Sequence, residues 1–175
     1  MRIVTKIIKE RQMETTTTQS DLLVRMTLMA WDAQNSYLNK LINSLNDEQL
    51  AKETAPGKNT GVYLLGHLIA VSDGLFPLLD FGNRLFPEME DMFLNKPDKS
   101  GLPFPAVAEL RKRFEMVNAK LNDHFRSLGV NEWLSRHTAV PPGDFVNEPH
   151  RNKLNVVITR TVHMAYHIGQ MRLLN

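Results

Sequence analysis

Apolar residues recur every three or four positions in four long stretches of this chain, separated by turn-forming residues. The first stretch predicts a helix from about Asp21 to Ser44, with Ser20 as its N-cap. Leu23, Met26, Ala30, Tyr37, Leu38, Leu41 and Leu45 form its expected core stripe. Asn46-Asp47 then caps a short turn over Glu48 to Lys52, and Pro56-Gly57 ends it. The second helix is expected from Asn59 or Thr60 to the late seventies. Leu64, His67, Ala70, Val71, Gly74 and Leu78 lie on one stripe, and Pro77 should kink or stop the helix.

Further along, Phe81-Gly82 and Phe86-Pro87 read as irregular, and Glu88 to Phe93 as one helical turn. A third helix is expected to start near Pro105. Its seam repeats with four-three spacing through Leu110, Phe114, Val117, Leu121, His124 and Leu128, and Gly129 follows as a stop. Asn131 to Arg136 can form another turn, whereas Thr138 to His150, with three prolines and a glycine, reads as a loop. The fourth helix should run from Asn152 or Lys153 to the C-terminus. No strand pair and no repeat stand out. The pattern is therefore all-α, with a four-helix bundle as the leading architecture and a topology left open by the long links. Residues 1–19 read as an N-terminal extension, with Ile3, Val4, Ile7 and Ile8 able to pack on the body and Thr15 to Thr18 as a linker. Residues 20–175 make the domain.

Composition narrows the functional classes. With 42% hydrophobic and 23% charged residues, 175 residues suffice for one core. No run of 18 consecutive apolar residues suggests a membrane span, and the charged start does not resemble a signal peptide. The chain has no cysteine, which removes disulfides, thiolate ligands and a cysteine nucleophile, and fits a cytoplasmic protein. A net charge of +2 with dispersed Lys and Arg gives no nucleic-acid footprint.

The candidate chemistry lies in histidines. His163 and His167 are four apart on the last helix, so their rings are offset by about 40° and roughly 6 Å of rise and can face one ion. Arg160 and Gln170 fall near the same stripe, and the four together can also be an ordinary solvated face. His67 lies among Leu64, Leu65, Leu68, Ala70 and Val71, which turns it inward. It suits either a ligand or a core histidine bonded to a carbonyl or hydroxyl. Gly66 beside it permits close helix approach. Three such imidazoles leave coordination positions free, as catalytic metal sites do. His124, on the third-helix seam, is a candidate catalytic group (a proton shuttle), a support for a ligand or a fourth ligand, against the plainer reading of a satisfied core or interface histidine. Trp31 and Asn35 are candidates for a pocket wall, against plain packing and solvent. Asp32 and Asp73 are candidate acceptors for a ligand imidazole. His137 and His150 are taken as surface residues.

Two segments carry a resemblance. Asn59-Thr60-Gly61-Val62-Tyr63-Leu64-Leu65-Gly66-His67-Leu68 and His163-Met164-Ala165-Tyr166-His167-Ile168-Gly169-Gln170-Met171-Arg172 together look like the DinB-like (DinB/YfiT-like) metalloenzyme superfamily. The resemblance runs from about residue 20 to the end. It implies a four-helix bundle, often a homodimer, with a divalent metal, zinc or nickel, at one end of the bundle. Carried over by motif, the ligands are His67, His163 and His167. Some relatives are transferases or isomerases that use low-molecular-weight thiols. No thiol-binding motif carries over, and the N-terminal segment and the Pro-rich loop before the last helix depart from the pattern.

The reading that follows is a metal-dependent transferase or hydrolase acting on a small-molecule substrate, in which metal-bound water or thiolate is the nucleophile. No Glu accompanies the histidines as in a His-Glu-x-x-His motif. Two other classes stay open: a binding module for metal and a small ligand in a stress response, and a helical dimer with structural histidines. Leu22, Met29 and Ala33, off the main stripe of the first helix, are the expected face for a second copy.

Overall fold

The computed structural model describes the backbone of residues 2–175 and the side chains of residues 19–175. The expected packing of Ile3, Val4, Ile7 and Ile8 lies outside the described residues, whereas the linker expected at Thr15 to Thr18 and the helix start expected at Ser20 both fall inside one continuous helix, because nothing in that stretch breaks the backbone hydrogen-bond ladder. The chain is all-α, and no strand occurs among the described residues. The elements are α1 (Arg2–Ser44), α2 (Asp47–Leu50), α3 (Gly61–Asp73), α4 (Leu75–Leu78), α5 (Glu88–Glu90), a π-helical turn (Asp91–Asn95), α6 (Val107–Ser127), α7 (Val130–Trp133), α8 (Pro142–Asn147), α9 (Lys153–Met171) and a final 3-10 turn (Arg172–Leu174).

Local chemistry sets the boundaries. Asn46 and Gln49 form a reciprocal capping box at α2. The Thr60 hydroxyl accepts from the Tyr63 amide at the start of α3, and the Asn152 side chain accepts from the Asn155 amide at the start of α9. Helix α3 ends at Asp73, and Pro77 falls inside the separate turn α4. Helix α6 starts two residues after Pro105, with Ala106 as its N-cap. The expected loop over Thr138 to His150 contains α8, with Pro142 at its first position.

Four helices, α1, α3, α6 and α9, form the bundle. Their directions follow from side-chain contacts. Arg111, near the start of α6, donates to the carbonyls of Ile42 and Leu45 at the end of α1. Gln49 donates to the Leu174 carbonyl, and the Gly61 Cα faces the Leu174 side chain. One end of the bundle therefore gathers the close of α1, the starts of α3 and α6, and the close of α9. At the other end Phe76 meets His124, and the Thr138 amide donates to the Leu78 carbonyl. Helices α1 and α9 run one way, and α3 and α6 the other.

Two parallel neighbours, α3 and α6, require a connection that travels the length of the bundle, and residues 79–106 supply it. The segment climbs back along α3. The buried Asp73 carboxylate accepts from the Leu85 and Phe86 amides at 2.8 and 3.1 Å. Higher up, the Tyr63 hydroxyl donates to the Lys96 carbonyl at 2.8 Å, and the Thr60 amide donates to Asp98 at 2.7 Å.

The core holds Trp31, Phe125 and Trp133 in edge contacts, with Phe76, Phe93 and aliphatic residues from all four helices. On α6 the buried apolar positions are Leu110, Phe114, Val117, Leu121 and Phe125, close to the expected seam. On α1 the stripe is rotated. Val24, Thr27, Trp31, Leu38, Ile42 and Leu45 face inward, whereas Leu23, Met26 and Tyr37 are 49, 59 and 54% exposed. Apolar residues occupy two faces of α1, so periodicity alone does not tell which one is covered.

The stretch Gly61–Leu78 is long and apolar enough by composition to cross a membrane. It is 67% buried inside the bundle and interrupted after Asp73, as a core helix would be.

Candidate metal centre

His67 sits in the middle of α3, and His163 and His167 sit on α9 facing it. The structure brings these three half-buried imidazoles together: one ring nitrogen from each lies within 4.8 Å of the others. His67 Nε2 and His163 Nε2 are 3.3 Å apart, and His163 Nε2 and His167 Nε2 are 3.0 Å apart. Nitrogens at that spacing can each reach a common ion at about 2.0–2.1 Å.

The far side of two rings fixes which nitrogen points inward. His67 Nδ1–H donates to the Phe93 carbonyl at 2.9 Å, which leaves Nε2 with a free lone pair. His167 Nδ1–H donates to Gln170 Oε1 at 2.7 Å, and Gln170 Nε2 in turn donates to the Tyr166 hydroxyl at 3.2 Å. Lone pairs at Nε2 of His67 and His167 therefore converge on His163 Nε2, where a shared cation, or a proton carried by His163 itself, can join them. Such outward bonds are also how metal-ligating histidines are usually oriented. His163 Nδ1 is buried without a partner.

Electrostatics favour neutral rings. Burial, then the neighbouring His167, His67 and Arg160, push His163 down to about 4. Burial is also the main cause that lowers His167, with the His67 neighbour adding to it and the Gln170 bond opposing it. Neutral imidazole is the form that ligates.

Gly66 shapes the site. A Cβ there would fall 2.2–2.5 Å from the Phe93 ring. The missing side chain lets the crossover lie flat on α3, so that the Phe93 carbonyl meets His67 one residue on. The element approaching Gly66 is thus the π-helical turn of the connecting segment, and not one of the four bundle helices. Tyr63, one turn before His67, stacks beside its ring with 6.4 Å between centroids.

The remaining sequence-predicted residues lie elsewhere. His124 stacks on Phe81 at 4.6 Å and meets Phe76 edge-on, at the end of the bundle where α3 closes. Trp31 is fully buried against Phe125. Asn35 donates to the Trp31 carbonyl and lines a groove between α1 and α6, with Asp32 and Asn118. Neither Asp32 nor Asp73 supports a ligand imidazole; Phe93 and Gln170 do so. Asp73 instead anchors the crossover. His150 is exposed, but His137 is half-buried with its Nδ1 enclosed. The Phe93 carbonyl carried no signal in the sequence beyond the glycine at position 66, because a backbone acceptor has no residue type.

The sequence model of the DinB superfamily matches residues 30–171. The chain belongs to the DinB superfamily. The match runs from Ala30 in α1 to the end of α9 and includes all three histidines of this DinB-superfamily protein. No curated protein matches the chain.

Proposed function

We propose that this DinB-superfamily protein binds a divalent transition metal, zinc or nickel, through the Nε2 atoms of His67, His163 and His167. On this reading it is a transferase or hydrolase acting on a small electrophilic substrate. The observation that carries it is the convergence of three Nε2 atoms, two of them fixed inward by bonds on the opposite side of the ring. Three all-nitrogen ligands suit zinc or nickel and leave coordination positions for water or substrate. When bound, such an ion lowers the pKa of a coordinated water or thiol toward neutrality. A thiol must arrive as a low-molecular-weight cosubstrate, since the chain has no cysteine.

The protein's own groups have three tasks. The Phe93 carbonyl and Gln170 hold His67 and His167 in one tautomer. The surrounding core keeps His163 neutral. The Tyr166 hydroxyl, bonded to Gln170 and 63% exposed, can move a proton at the rim.

Metal analysis of protein purified without a histidine tag tests the first part. One equivalent of zinc or nickel is expected, lost in His163→Ala with the helical spectrum retained. Metal content unchanged by that substitution would rule the assignment out. For turnover, the metal-loaded protein is incubated with several thiols and a generic electrophile, and separately with activated esters. A rate above the free reagents is expected. Among the described residues no carboxylate joins the three imidazoles, which favours a second reading: a binder of metal and small ligand in a stress response. Uniformly background rates would select it. A cytoplasmic location and a homodimer complete the proposal. The absence of cysteine supports the first, and outward apolar strips on α1 and α9 support the second.

A further inference from the structure

A cavity of about 350 Å³ opens one helical turn from His67 and His163. Its walls place it there: Ala70 lies three residues after His67, Leu94 follows Phe93, and Arg160 lies three residues before His163. That last spacing is roughly 4.5 Å along the helix. Val71, Leu78 and Leu94 give the cavity an apolar body. The volume suits a small organic molecule.

Two cations line it, and they differ. Arg84 is committed: it donates to the Ala70 carbonyl at 2.9 Å and pairs with Glu90 at 3.1 Å. Arg160 is not. Among the described residues it makes no hydrogen bond and no ion pair, and its Nε is buried without a partner. Burial lowers its pKa. The residue is half-buried, and a guanidinium in that position remains charged and open to an anion. The nearby acids are already engaged, Glu90 by Arg84 and Asp73 by two backbone amides. The Thr138 hydroxyl, also on the wall, donates to the Pro77 and Leu78 carbonyls.

We infer that Arg160 is a binding residue for a carboxylate, and that the ligand of this cavity is a small organic acid with an apolar body. This deepens the metal-centre reading and rests on it for the reaction. A carboxylate paired with Arg160 places the rest of the molecule against Val71, Leu78 and Leu94, in a cavity that adjoins the metal centre at Ala70 and Arg160. The same carboxylate chemistry can come from the electrophile or from the thiol cosubstrate. Arginine's planar fork pairs with both carboxylate oxygens, which sets orientation as well as affinity.

The test is calorimetric binding of hexanoate and its neutral counterpart hexanamide to wild type and Arg160→Gln, each zinc-loaded and metal-free. Wild type should prefer hexanoate over hexanamide by about tenfold or more, the scale of a hydrogen-bonded charge pair. The preference should persist without metal and disappear in Arg160→Gln, while Arg160→Lys keeps part of it. The Arg160→Gln protein should retain its zinc and its melting temperature. Hexanoate binding that needs the metal, or that survives Arg160→Gln, would overturn the assignment. Because the metal-free arm stands alone, loss of the metal-centre reading leaves this result intact, and the reverse. A weaker affinity of 3-mercaptopropionate, but not 2-mercaptoethanol, in Arg160→Gln would assign the carboxylate to the thiol. Loss confined to hexanoate would assign it to the electrophile.

Discussion

At the scale of single residues, the site depends on positions that bring no ligand atom of their own. Gly66→Ala forces the Phe93 ring and its backbone away from α3. Overpacking of this kind should lower stability by about 1–3 kcal/mol. It should also weaken metal binding, because the carbonyl that orients His67 moves with Phe93. Chemical denaturation and competition with a colorimetric chelator measure the two effects. Normal zinc affinity in a destabilised Gly66→Ala protein would show that the carbonyl is dispensable. His163 gives a pH prediction. Its folded pKa of about 4 lies below the ordinary 6.5, so the unfolded chain takes up the proton first. The metal-free protein should therefore lose stability as pH falls from 6.5 toward 4, with no contribution from this group above that window. Denaturation midpoints at pH 7.5 and 5 check the sign. Ring nitrogen shifts at pH 5.5 should show a neutral His163; an imidazolium there would contradict it.

At the scale of elements, the crossover over residues 79–106 is the feature that a helix-by-helix reading does not contain. Asp73 holds its lower end through two amides in the core. Asp73→Asn removes the charge and leaves a single acceptor oxygen, which should cost about 1.5–3 kcal/mol. Faster exchange of the Leu85 and Phe86 amides should accompany it. The four bundle helices were legible because their core positions repeat at helical spacing and their starts carry Thr60 and Asn152. The rotation of α1 was not, since Leu22, Met26, Met29 and Tyr37 form a second stripe as apolar as the buried one. The directions of α3 and α6 were not legible either. They follow from Asp73, Tyr63 and Thr60 reaching a segment with no periodicity. His67, His163 and His167 were readable as a set from spacing and resemblance. Their partner Phe93 was not, because it acts through its backbone, and Arg160 stood out only once the acids near its cavity were seen to be engaged elsewhere.

At the scale of the whole molecule, α1 packs along α9, and both carry apolar residues outward. Leu22, Met29, Val162 and Leu173 are 51 to 71% exposed. A second copy covering this face is the expected assembly, and sedimentation velocity should report a dimer at micromolar concentration. Met29→Glu combined with Val162→Glu should give a folded monomer. A monomeric wild type across that range would remove the dimer. The three histidines also tie together parts of the chain far apart in order, since His67 and His163 are separated by 96 positions. A growing polypeptide on the ribosome therefore owns one ligand for most of its synthesis and gains the other two almost at once. The ion, on arrival, would latch the last helix to the second, and its removal should free α9 before any other part of the bundle lets go.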